Sequence, residues 1–135
     1  MTDKKKILVV DDDQSLTRML RLNLEDTGRY QVWEESDARA ALTTALAFEP
    51  DLILLDVMMP EMDGGDVSTR LKAHSRLRHI PIVFLTAAVK KQEVSEGHGR
   101  IGGLPFLAKP VDLDELTACL EQNIAPLPPA PAPGA

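Results

Sequence analysis

Acidic residues stand where the apolar runs of this chain end. Asp11, Asp12 and Asp13 follow Ile7 to Val10, and Asp56 follows Leu52 to Leu55. Thr86 closes the run Ile80 to Leu85, and Lys109 comes directly after Leu104 to Ala108. Carboxylates that converge repel: two unit charges about 4 Å apart cost roughly 4 kcal/mol at an effective dielectric near 20. A hard divalent cation relieves this, and Mg2+ suits one or two carboxylates together with phosphate oxygens, with Mn2+ as a substitute. A carboxylate held beside such a metal is a nucleophile toward phosphorus and yields an acyl phosphate. Lys109 can hold a phosphoryl oxygen as a point charge, and the Thr86 hydroxyl can donate to another. Positioning and charge stabilisation are most of what phosphoryl transfer needs.

Elements that could bring these residues together are legible in the same pattern. The short β-branched run Ile7 to Val10 reads as a strand buried on both faces. Leu16, Met19, Leu20, Asn23 and Leu24 then recur at helical spacing, closed by Gly28. Asp13, directly before that helix, reads as its cap. Tyr30 to Trp33 is a weaker strand, with Glu34 and Glu35 beyond it as surface residues. Asp37 caps a helix carrying Ala38, Ala41, Leu42, Ala45 and Leu46, which Pro50 stops. After the strand at 52–55, Pro60 to Gly65 reads as a loop and Val67 to Ala73 as a short helix. Ile80 to Leu85 is a strand. Glycines at 97, 99, 102 and 103 predict a short helix near 90–96 followed by loop. Leu104 to Ala108 is the last strand, and Asp112 with Glu115 starts a helix striped by Leu113, Leu116, Leu120 and Ile124. Residues 125–135, almost entirely Pro and Ala, cannot bury a core. They read as a disordered tail or the start of a linker to an output domain.

Buried strands alternating five times with helices imply an α/β fold, a parallel sheet covered on both faces. Ligands in such sheets bind beyond the carboxyl ends of the strands, where Asp11, Asp12, Asp56, Thr86 and Lys109 fall. The 135 residues suit one domain, and the net charge of -6 opposes non-specific nucleic-acid binding. No apolar run approaches a membrane span, and no signal-peptide core precedes the first strand. One cysteine, Cys119, excludes an internal disulfide. A cytoplasmic protein is the simplest reading. His74, His79 and His98 lack metal-ligand spacing.

Four blocks carry a family resemblance: ILVVDD at 7–12, LDVMMP at 55–60, FLTA at 84–87 and FLAKP at 106–110. Together they resemble the receiver domains of two-component response regulators, over roughly residues 5–124. The resemblance implies a (βα)5 doubly wound, flavodoxin-like sheet of strand order 2-1-3-4-5, with a receiver domain at 1–124. It implies that Asp56 is the phosphoacceptor, that Asp12 ligates Mg2+ directly, and that Asp11 acts on it mainly through water. The backbone carbonyl of Met58 would complete the metal site. Thr86 and Phe106 would form the switch pair and Lys109 would bind the phosphoryl group, with the Lys109–Pro110 bond commonly cis. The implied donor is a sensor histidine kinase or a histidine phosphotransfer protein in a phosphorelay. The implied output is a switched protein-interaction surface, with phosphorylation-dependent dimerisation as a further expectation. On this reading the domain is a signalling phosphoacceptor that assists its own phosphorylation and dephosphorylation, and is not an enzyme. The stretch GHGRIGGLPF at 97–106 departs from the family's usual turn, and Thr86 to Lys109 spans about one residue more than is common.

Two other readings compete. Asp11-x-Asp13-x-Ser15 resembles the nucleophile motif of haloacid-dehalogenase-type phosphatases, with Asp11 as nucleophile and Asp13 as acid. The chain lacks that family's late acidic metal motif and leaves little room for a cap. A phosphorylation-independent receiver scaffold is the third reading, resting on the unusual 97–103 segment.

Overall fold

The computed structural model describes residues 4–59, 62–86, 100–101 and 104–124. Its elements are β1 (Lys5–Val10), α1 (Gln14–Asp26), β2 (Tyr30–Glu35), a 3-10 turn (Ala38–Ala40) leading into α2 (Ala41–Phe48), β3 (Leu52–Asp56), α3 (Gly64–Ala73), β4 (Ile82–Thr86), β5 (Arg100–Ile101), β6 (Leu104–Ala108) and α4 (Leu113–Asn123). The sheet runs β2-β1-β3-β4-β6-β5. Five of its strands are parallel, and counted alone they take the expected order 2-1-3-4-5. The two-residue β5 was expected as loop; it pairs antiparallel with β6 at the sheet edge. The helix expected near 90–96 and the tail expected at 125–135 lie outside the described residues.

Strict alternation along the central strands sorts the core into two layers. Ile7 and Val9 of β1 face one side with Leu52, Leu54, Val83, Leu85 and Leu107, packed under Leu20 and Leu24 of α1 and Leu116 and Leu120 of α4. Leu8, Val10, Ile53, Leu55, Ile82 and Phe84 face the other side, under Ala41 and Ala45 of α2 and Val67 and Leu71 of α3. The runs are continuously apolar because both faces are covered. Among the described residues no helix is long and apolar enough to cross a membrane.

Several local expectations shift. In α1 the inward stripe is Thr17, Leu20 and Leu24, while Met19 is exposed at its margin. Helix α3 begins at Gly64 and not at Val67, because the Asp63 side chain accepts from Asp66 N at 2.9 Å and caps it. Strand β4 spans 82–86 and not 80–85: Ile80 N is spent on Leu77 O, and Ile80 is an anchor of the preceding turn. Leu113 opens α4 exposed, so its buried stripe starts at Leu116. Glu34 and Glu35 are not free surface groups. Glu34 accepts from Thr17 Oγ1 at 2.8 Å and Arg21 at 3.3 Å, fastening α1 to β2, and Glu35 accepts from Thr44 Oγ1 at 2.6 Å, fastening α2. Gly28 closes α1 at a φ of 77°, where a side chain would be strained.

Candidate functional site

Strand order brings the polar strand ends side by side. Val10 is in register with Leu55, so Asp11 and Asp56 leave the sheet next to each other. Asp56 is in register with Leu85, and Thr86 with Ala108, which places Thr86 and Lys109 along the same rim. One carboxylate oxygen from each of Asp11, Asp12 and Asp56 lies within 4.8 Å of the others. Asp11 is fully buried and Asp56 nearly so, while Asp12 is exposed.

Lys109 is the cation of this cluster. Its Nζ lies 2.8 Å from Asp11 Oδ2 and 3.3 Å from Asp56 Oδ1. The Asp56 contact is a hydrogen bond. The Asp11 contact is closer still, so the Lys109 ammonium answers this buried oxygen directly as an ion pair. The other Asp11 oxygen accepts from Asp13 N at 2.9 Å, and Asp56 Oδ1 also receives Met58 N at 3.4 Å. Lys109 therefore pairs with two of the three clustered carboxylates, Asp11 and Asp56. Burial pushes the Asp56 carboxyl up to about 6, the Asp11 charge adds to that, and Lys109 pulls against it. At Lys109 burial disfavours the ammonium, yet Asp11 and Asp56 together outweigh it and raise its pKa.

These residues fit a divalent cation. Three hard oxygen donors lie within 4.8 Å of one another, and the Asp11 charge still disfavours the Asp56 carboxylate although Lys109 pairs with both. Asp13 is turned away from this chemistry. It caps α1, accepting from Leu16 N at 3.2 Å, which leaves the acid role of the phosphatase reading without its residue.

Thr86 falls on the same rim, while Phe106 sits in the middle of β6. Thr86 is buried, and its carbonyl accepts from Lys109 N at 2.9 Å. Phe106 is half-buried, in register with Phe84, on the α2–α3 side. Met58 is exposed in side chain, so packing does not explain its place beside Asp56. The Lys109–Pro110 bond is cis.

Sequence reasoning missed Gly64. It was grouped with Gly65 as loop punctuation, yet only Gly64 packs on the backbone of Asp56. A Cβ on it would overlap Asp56 O and stand 2.9 Å from Val57 Cα. The available signal was Asp63, an N-cap residue type directly before it.

Comparison with known proteins names the class to which this fold and rim belong. The family model of the response regulator receiver domain matches residues 7–121. The chain belongs to that family, the receiver domains of two-component response regulators. It is similar to the DNA-binding dual master transcriptional regulator RpaA of Synechocystis, 36% identical over 113 residues covering 84% of this chain and 46% of that protein. It is likewise similar to the alkaline phosphatase synthesis transcriptional regulatory protein PhoP of Bacillus subtilis, 41% identical over 115 residues, again 84% and 46%. The chain thus spans less than half the length of these relatives. Among solved structures it resembles a chemotaxis protein of Vibrio cholerae, with a TM-score of 0.76 and 32% identity over 89% of this chain and 98% of that one. The N-terminal domain of a response regulator receiver protein from Methanoculleus marisnigri superposes with a TM-score of 0.66 at 31% identity, covering 90% and 98%.

Proposed function

We propose that this domain accepts a phosphoryl group on Asp56 from the phosphohistidine of a sensor histidine kinase or a histidine phosphotransfer protein, in the cytoplasm. The observation that carries the reading is the convergence of Asp11, Asp12 and Asp56 on one another, with Lys109 beside Asp11 and Asp56. An Asp56 carboxylate oxygen forms the new bond to phosphorus as the bond from phosphorus to the donor imidazole nitrogen breaks. The electron pair returns to the imidazole, and the product is an acyl phosphate.

Asp11, Asp12, Asp56 and the Met58 carbonyl would hold Mg2+, or Mn2+ in its place, with Asp12 ligating directly and Asp11 mainly through water. Bound there, the cation neutralises charge on the phosphoryl oxygens and offsets the repulsion among the carboxylates. Lys109, already beside Asp56, orients the incoming group and holds one of its oxygens. The Thr86 hydroxyl takes another.

Phosphorylation turns one carboxylate charge into about two, with new acceptor oxygens. Thr86 and Phe106 are the pair through which that change biases a protein-interaction surface, on β4 and β6. We assign receiver function to 1–124 and a linker or tail to 125–135. The downstream target is a protein, dimerisation follows phosphorylation, and this domain takes no part in binding nucleic acid or membrane.

The test is incubation with acetyl phosphate and Mg2+, followed by mass spectrometry of trapped acyl phosphate. Label on Asp56 that disappears in Asp56→Asn and with EDTA is the expected result. Label elsewhere, or none under any donor, would sink the reading.

A further inference from the structure

We infer that Gly64 is a positioning residue for the phosphoacceptor site: its bare Cα lets α3 close directly onto the peptide that carries Asp56. The inference rests on the functional reading above and adds a residue to it. Val57 is held from two sides. Its N–H donates to Leu85 O of β4 at 3.0 Å, and its carbonyl accepts from Gly64 N at 2.9 Å. Asp56 and Met58, the residues that present the nucleophile and the metal-site carbonyl, flank this doubly held residue. The second hold exists only because Gly64 lacks a side chain. A Cβ there would overlap Asp56 O and crowd Val57 Cα, and neither is the far end of a flexible side chain that could swing away.

Gly65 supplies the contrast. A Cβ on it would meet only Asp63 Oδ1, at 3.2 Å, a side-chain atom that can give way. The two adjacent glycines therefore separate a close-approach requirement from the general demands of the loop. Displacing α3 from Val57 O frees the segment that aims Asp56, and a misplacement of about 1 Å in such a site costs on the order of 100-fold in rate.

Gly64→Ala and Gly65→Ala are compared with the unaltered protein below their melting temperatures. Mg2+ affinity is read by calorimetric titration, and Asp56 labelling by acetyl phosphate as separate rate and half-saturation values. Gly64→Ala is expected to weaken Mg2+ binding at least tenfold and to lower the labelling rate, while Gly65→Ala stays within twofold. A folded Gly64→Ala that binds Mg2+ and labels like the unaltered protein overturns the inference. Should Gly64→Ala not fold, hydrogen exchange in the unaltered protein decides. Coupling is reciprocal, so a clamp that favours metal binding must be tightened by it. Saturating Mg2+ should slow exchange of the Gly64 amide at least fivefold more than that of His74, which closes the far end of α3. Equal slowing at both amides, or none, overturns the inference. Absence of Asp56 label in the unaltered protein is a different result and removes the functional reading itself.

Discussion

The two ends of the sheet treat charge in opposite ways. At the end where β3 begins, charged side chains are tied to nearby backbone groups. Asp51 accepts from Lys6 N at 2.7 Å, Lys6 Nζ reaches Phe48 O at 3.2 Å, and Lys72 Nζ donates to Arg78 O and Ile80 O across the α3–β4 turn. At the end where β3 finishes, three carboxylates crowd within 4.8 Å, and Lys109 pairs with only two of them, Asp11 and Asp56. The first arrangement holds elements together. The second stores repulsion that only a further ligand relieves, the pattern expected where local strain serves function.

The largest effect should come from relieving the rim. Asp56 has its carboxyl raised from 3.8 to about 6 in the fold. Below the unfolded value both states are protonated and there is no penalty. Above about 6 the folded state carries the full penalty of the charge, so this group makes the protein less stable as pH rises between those values. The shift corresponds to about 3 kcal/mol at neutral pH. Asp56→Asn should therefore raise the melting temperature in EDTA at pH 7, with the gain fading to nothing below about pH 4. Mg2+ should stabilise the unaltered protein more than the variant. Calorimetry across pH checks this, and a variant less stable than the parent at pH 7 would mean the rim stores no repulsion.

The same contrast explains what could be read from the chain alone. Strand interiors were legible because burial on both faces demands an unbroken apolar run, as in Leu52 to Leu55. Asp11, Asp12, Asp56, Thr86 and Lys109 were legible because each sits at the end of such a run, and the parallel order brings those ends together. Caps were legible at Asp13 and Asp112, where the residue type itself makes the bond. Glu34, Glu35 and Gly64 were not, because their work is tertiary. A glutamate on an edge strand looks the same whether or not Thr17 or Thr44 lies opposite it. Asp63 before the Gly-Gly pair marks a helix start, but it does not show that Gly64 presses on the backbone at the end of β3. The start of β4 was misplaced for a related reason: Ile80 is apolar because it anchors a turn, and apolarity alone cannot tell an anchor from a strand.

A smaller effect is expected at the base. Asp51→Ala leaves Lys6 N–H without its partner and should destabilise by about 1–2 kcal/mol, the range for a half-buried donor left unsatisfied. The urea midpoint should fall with the slope unchanged. Asp56 labelling should stay within twofold, because the lost bond lies at the opposite end of β3. A marked loss of labelling would show that the two ends are coupled and that their division of labour is false.

The smallest effect tests whether any strain hides at the base. Glu49 ends α2 at φ 54° and ψ 61°, a left-handed conformation, and pairs with Arg76 at 3.3 Å. A non-glycine residue there costs roughly 1–2 kcal/mol. Glycine removes that strain but gains freedom in the unfolded chain, which takes back about 0.4–1 kcal/mol. The ion pair is exposed on both sides, at 64% and 68%, so its loss removes little. Glu49→Gly should therefore stabilise by on the order of 0.5 kcal/mol. The gain should be larger in about 1 M salt, where the pair is already screened. A lower urea midpoint at both salt concentrations would mean that the Glu49–Arg76 pair outweighs the backbone strain, and that the base leans on an exposed charge pair more than its geometry implies.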